Sequence, residues 1–412
     1  MSAQDSPVPT QIRPLSRPQA ARLVVLLGLI LALGYVAALG GAYLKGSFLA
    51  DGQGRPIAND FVNVVAAGRL ALDGNAASAY DWPLHKQAEI RALGHDFQNY
   101  YGWHYPPTFL FVAAALALLP YFAAAVVWLA ATFAAYATAI GGIVGGVLGR
   151  RGALFVAAGF PAGLWNVTAG QNGFLTAALI GCTLALLQRR PALAGVCLGL
   201  LTYKPQFGLL FPLVLIADRR WLTIAVAAAV ASGIAALSWL AFGGSSWAGF
   251  IHWMPITSRV VLGEGGADWN RLQSLFGLIR AQGGSEPLAW TVQITASLAT
   301  AIGVIWLWRS RAPFDLKAAA LAAGTLVATP YVYMYDLVVL AVAVAFLLRF
   351  ALERGFAASE VAGLGLASVL ILIYPEVETQ VGLAAVLIVL ALVARHAFLE
   401  MRVDGRFNVA LQ

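Results

Sequence analysis

Asp60 stands in the run Asn59-Asp60-Phe61, shortly after the first long apolar stretch ends. A carboxylate there, at the head of an amphipathic helix at the membrane face, could take a proton from a hydroxyl at the lipid–water boundary. The same position also suits a solvated loop acid, or a cap for a helix over 61–72. Lys204 sits inside Gly199–Leu210, GLLTYKPQFGLL, with apolar residues on both sides. An ionisable group at such depth faces a cavity or a partner, unless its stem snorkels to the interface. Pro205 follows it and frees a backbone carbonyl, so the helix can open there. Asp268-Trp269-Asn270-Arg271-Leu272-Gln273-Ser274 is a polar cluster suited to a phosphate or a sugar, or to an ordinary helix start over 275–279. Tyr331, Tyr333 and Tyr335 suit an interfacial aromatic belt, which leaves Asp336 unexplained. His85, His95 and His104 match no standard ligand spacing, and no metal site is expected. Nucleotide-loop, nucleophile-elbow and paired-cysteine motifs are absent.

The elements that must hold these groups are membrane helices. Sixty per cent of the 412 residues are hydrophobic and 11% charged, against about 25% charged in soluble domains. Lipid, not a soluble core, can cover that much apolar surface. The net charge is +7 without a polybasic run, which argues against a nucleic-acid partner. Cys182 and Cys197 lie inside apolar segments and read as buried thiols. The expected fold is all-α: a polytopic transmembrane bundle of about twelve spans, forming a single domain over 22–412. The Pro/Gln/Ser-rich segment 1–21 reads as a disordered cytoplasmic N-terminus. Apolar runs fall at 22–44, 106–119, 122–148, 153–166, 172–187, 192–217, 221–242, 287–309, 314–332, 335–350, 359–375 and 380–398.

Two connections are long, 45–105 and 243–286. Both are expected outside the cytoplasm and to carry short amphipathic helices. Basic residues should mark the opposite face, as at Arg13/Arg17/Arg22, Arg219/Arg220, Arg309/Arg311, Arg349/Arg354 and Arg395/Arg402. A twelve-span map puts Arg150/Arg151 and Arg189/Arg190 on the outer side, against that rule. It puts the polar link 166–172, WNVTAGQN, on the cytoplasmic side. Splitting 192–217 and fusing 106–148 would restore the rule. A helix of that fused length, about 66 Å, is too long for one crossing.

The order of several motifs carries a resemblance. NDF, AAGRLALDG and AYD come first, then HYPPTFLFVAAALALLPY, GQNGFLTAAL, AGVCLGLLTYKPQ, NRLQSLFGLIR and TPYVYMYDLVVL. This series resembles glycosyltransferase family 87 of the GT-C membrane glycosyltransferases, which is similar to polyprenyl-phosphate-mannose-dependent mannosyltransferases. The resemblance implies a general-base carboxylate at Asp60. It implies a polyprenyl monophosphate sugar donor held with help from 243–286, and an inverting transfer, first of mannose, to a lipid or glycan acceptor. Where the family often has a histidine after the SP/TP proline, this chain reads YVYMYD, leaving Tyr335 and Asp336 at that place. Lys204, Arg271 and Arg69 are the candidates for the leaving phosphate. His104, Tyr105, Asn270, Gln273, Tyr335 and Asp336 are candidates for substrate binding. No cofactor is expected. The enzyme is expected in the inner membrane, amid its lipids, with the site on the extracytoplasmic side. A lipid-sugar flippase and arabinofuranosyl or glucosyl transfer remain the competing readings.

Overall fold

A computed structural model describes residues 16–57, 59–266, 268–355, 358–377 and 379–410. It is about 80% helix, with no strand among the described residues. The segment 1–15 lies outside the described residues, so the expectation of disorder there, and Arg13, are not addressed. Arg17–Ala21 already belong to α1 (Arg17–Leu44), which starts at a Ser16/Gln19 capping box with Pro18 in its first turn.

Six helices among the described residues are long and apolar enough to cross a membrane. They are α1, α5 (Tyr121–Ala158), α10 (Trp221–Ser258), α12 (Glu286–Arg309), α14 (Val338–Arg354) with its leading turn, and most of α17 (Val381–Ala410). Helix α14 is the centre of the bundle: 83% of its apolar window is buried, against 6% for α1 and for α10. A helix apolar on all sides suits such a place. Gly149 (φ 72°, ψ 165°) interrupts α5, and Gly243 (φ 78°, ψ 159°) interrupts α10. Positive φ favours glycine, so both breaks are set locally. The second one stands where the long outer segment 243–286 was expected to begin.

The shorter helices correct the map. Helix α4 (Leu110–Ala117) has eight residues, about 12 Å of rise, which is too short for a crossing. It packs on α2 (Phe61–Leu72): a Cβ at Gly68 would meet the Ala113 carbonyl at 2.1 Å. The 192–217 run is two helices, α8 (Pro191–Leu200) and α9 (Leu210–Ala217), joined by 3-10 turns around Lys204-Pro205. Gly195 touches Thr223 and Val226, and Gly199 touches Ala227 and Val230. Contacts that advance together along both chains mean that α8 and the start of α10 run parallel. The chain must therefore turn back between them, at Lys204-Pro205.

The same logic applies to α5 and α7 (Gly173–Leu186), where Tyr136 stacks on Phe174, Ala139 meets Gly181 and Ala185 meets Gly142. Helices α7 and α14 are parallel too, with Gly173 at Tyr335 and Gly181 at Val342. Helix α6 (Ala162–Ala169) and the residues after Gly149 form the return path. In consequence Arg189 and Arg349 line one cavity of about 600 Å³ with Val147, and Arg22 lines another with Val147 and Leu148. Arg150/Arg151 follow Leu148 after one residue, Gly149. These arginines share one end of the bundle, so the expected conflict over Arg150/Arg151 and Arg189/Arg190 disappears.

Helix α2 is likewise not an amphipathic surface helix. Phe61 to Gly68 are all buried, enclosed by α4 and by α3 (Trp82–Leu93). The second half of α10 covers this outer segment, with Trp253 stacked on Trp82 at 5.2 Å and Gly249 against Tyr80.

Candidate active site

The site forms where the N-terminal ends of α2, α7 and α14 meet. Asp60 immediately precedes α2, yet its side chain makes no capping bond, which removes the helix-cap explanation. Its Oδ2 instead accepts a hydrogen bond from Gln171 Nε2 at 2.7 Å. Asp60 is half-buried, and the surrounding protein takes part of its carboxyl away from water. Burial raises its pKa above the usual carboxylate range. The Gln171 bond and the charges of Arg271 and Lys204 pull it back, and Asp336 adds to the rise.

Gln171 belongs to the 166–172 link expected on the cytoplasmic side, and this corrects that placement. The link is folded onto Asp60 by local contacts. Asn166 Oδ1 accepts the Gly173 amide at 2.7 Å, Asn59 Nδ2 donates to the Thr168 carbonyl at 3.4 Å, and Gly170 adopts φ +68° against Phe61. Gln171 Oε1 in turn accepts the Tyr105 hydroxyl at 3.2 Å. That hydroxyl accepts from Asn172 Nδ2 at 2.7 Å, and the Tyr105 carbonyl accepts the Tyr80 hydroxyl at 3.0 Å. Asp60 thus ends a buried chain that fixes the direction of its lone pairs.

Lys204 is 6% exposed and Asp336 2%, and they pair at 2.6 Å. The other Asp336 oxygen accepts the Tyr333 amide at 3.1 Å. The expected partner of Lys204 was a phosphate; its partner in the fold is a carboxylate. Tyr335 stacks on Tyr333 at 5.5 Å and stands 5.3 Å from the Lys204 ammonium. Arg271 is exposed, makes no ion pair among the described residues, and its charge reaches Asp60, Tyr101 and Tyr333. His104 is exposed and approaches Thr257, 3.4 Å from its hydroxyl.

Three expected residues are not brought to the cleft. Arg69 lies nine positions beyond Asp60, about 14 Å along the helix, and its guanidinium donates to the Arg91 carbonyl. Gln273 is buried, with its amide spent on the Asn270, Arg271 and Thr379 carbonyls and on the Gly382 amide. Asn270 closes a local turn onto Asp268. Gln171 and Asn172 are the residues that sequence reasoning missed. Their signal was a polar island between two apolar runs. No group of three or more His, Cys, Asp or Glu among the described residues could hold a metal ion.

Residues 103–330, more than half of the chain, match the model of glycosyltransferase family 87. The chain belongs to glycosyltransferase family 87. It is a membrane glycosyltransferase, which agrees with its apolar helices. The family match spans Gln171, Lys204 and Arg271 and leaves Asp60 and Asp336 outside it. No curated protein and no solved structure matches the chain.

Proposed function

We propose that this family 87 enzyme moves a hexose, with mannose the first choice, from a polyprenyl monophosphate sugar to a lipid or glycan hydroxyl, with inversion. The observation that carries this reading is Asp60: a half-buried carboxylate aimed by Gln171 rather than used as a helix cap. The acceptor oxygen attacks the anomeric carbon from the Asp60 side while its proton passes to Asp60. The bond from that carbon to the phosphate oxygen breaks, and its electron pair stays with polyprenyl phosphate. Arg271 meets the charge that grows on the leaving phosphate, and the N-terminal ends of α7 and α14 add favourable dipoles. Lys204 works through Asp336 to hold the turn at Pro205 against the start of α14. A donor with a long lipid chain fits a site built among apolar helices.

We read the shorter helices as return paths between the arginine-rich end and the end holding Asp60, which keeps those two ends on opposite faces. The arginine-rich end faces the cytoplasm and the cleft faces the outer side of the inner membrane. A flippase would need the lipid groove but no base, so Asp60→Asn separates the two readings. With purified protein in lipid, polyprenyl-phosphate mannose and a glycolipid acceptor, Asp60→Asn should lower transfer by about a hundred- to ten-thousand-fold and leave donor binding intact. Near-normal turnover would remove Asp60 as the base.

A further inference from the structure

Glu89 of α3 is a buried acid that the transfer step does not use. Its carboxyl has no accessible surface. Oε1 accepts the Tyr101 amide at 3.1 Å, and Oε2 has no hydrogen-bond partner among the described residues. Lys86 Nζ stands 3.9 Å from Oε2, but its protons are engaged elsewhere. It donates to the carbonyls of Phe97 (2.8 Å) and Asn99, and it lies 3.1 Å from the centre of the Phe97 ring. From the other side, Asn63 of α2 reaches the Gly102 carbonyl at 3.5 Å. Lys86, Glu89 and Asn63 therefore strap residues 97–102 to the two outer helices. The strap continues into His104 and Tyr105, and Tyr105 is the residue whose hydroxyl holds Gln171 beside Asp60.

We propose that Glu89 is a positioning residue: uncharged, it keeps the strap on α3, and its ionisation draws Lys86 from the Phe97 and Asn99 carbonyls and loosens the approach of Tyr105 to the cleft. A carboxylate without water or a close cation is unfavourable, so a fully buried one is held protonated. Burial pushes Glu89 up to about 8. Lys86 and the Tyr101 amide oppose the rise, and Asp60 adds to it. The other groups facing this pocket do not compensate. His85, 3.8 Å away on the same helix, is lowered by burial to about 3 and stays neutral. Tyr100 of the strap is raised and stays neutral, while Asp96 and His104 act on Lys86 and His85 rather than on Glu89 itself. Because the folded-state value is raised, the holding contribution is complete below the free-carboxyl value of 4.5 and falls as pH rises to about 8.

The inference rests on the reading of the Asp60 cleft as the reaction centre, and the test separates the two. Transfer is measured from pH 6 to 9.5 for wild type, Glu89→Gln and Lys86→Met. Hydrogen exchange of the 97–105 amides is followed in parallel and corrected for its intrinsic pH dependence. Wild type should lose about tenfold in rate per pH unit above the Glu89 transition, with rising exchange in the strap. Glu89→Gln still accepts the Tyr101 amide and cannot ionise, so it should keep its rate and show neither change. Lys86→Met should exchange freely at every pH. Identical alkaline limbs in wild type and Glu89→Gln, or pH-independent exchange in wild type, would overturn the proposal. If Glu89→Gln does not fold, the wild-type exchange profile alone decides. A strap that loosens as expected while transfer stays flat would sever Glu89 from the reaction and count against the cleft.

Discussion

Replacing Gln171 by Met tests the orientation of the base without touching the base. Met preserves length and apolar packing and removes both polar atoms. The 2.7 Å bond to Asp60 goes, along with the acceptor for the Tyr105 hydroxyl. A hydrogen bond to a charged group is worth about 1.5–3 kcal/mol. If that contribution is expressed in the transition state, at about 1.4 kcal/mol per tenfold, transfer should fall by roughly 10- to 150-fold. A second signature is independent of magnitude. The Gln171 bond lowers the Asp60 pKa, while burial raises it. Without Gln171, Asp60 should need a higher pH to ionise, so the acid limb of the rate profile should move up and part of the loss should be recovered at alkaline pH. The assay is sugar transfer by purified protein in lipid, at saturating donor, across pH 5–9. A Gln171→Met enzyme with an unmoved acid limb and a rate close to wild type would refute the argument that Gln171 aims Asp60.

Two further outcomes are expected. Lys204→Met leaves Asp336 buried and unpaired and should cost about 3–5 kcal/mol of stability; Lys204→Met with Asp336→Asn should recover much of it, as read by thermal unfolding in detergent, and equal losses in single and double variants would show the pair is uncoupled. Arg271→Gln should raise the apparent KM for the lipid donor severalfold with unchanged melting, because Arg271 makes no ion pair among the described residues; an unchanged KM would take Arg271 away from the phosphate.

Some of this was legible residue by residue. Apolar composition is additive, so 60% hydrophobic residues are enough to assign the chain to a membrane without knowing any contact. A lysine within an apolar run is costly wherever the run goes, so Lys204 announced a partner; it could not announce Asp336, 132 positions away. Gly243 marked the break in α10 because positive φ is a local property. Asp60 drew notice through its motif and its place after the first span.

The crossing pattern was a different kind of question. Whether 106–119 crosses, and whether 192–217 is one helix or two, depends on what each short helix packs against. Hydropathy does not encode that. Arg69, Asn270 and Gln273 looked available because a polar side chain in a sequence shows no partner; folding gave Arg69 and Gln273 backbone groups to satisfy and tied Asn270 to the Asp268 carboxylate. Gln171 stayed hidden for the converse reason, since its bond to Asp60 spans 111 positions and exists only once α7 runs parallel to α14. The sequence by itself determined the solvent of this protein and the acid at its centre. The direction in which that acid points was decided by tertiary structure alone, because orientation is a property of pairs and the pairs are made by packing.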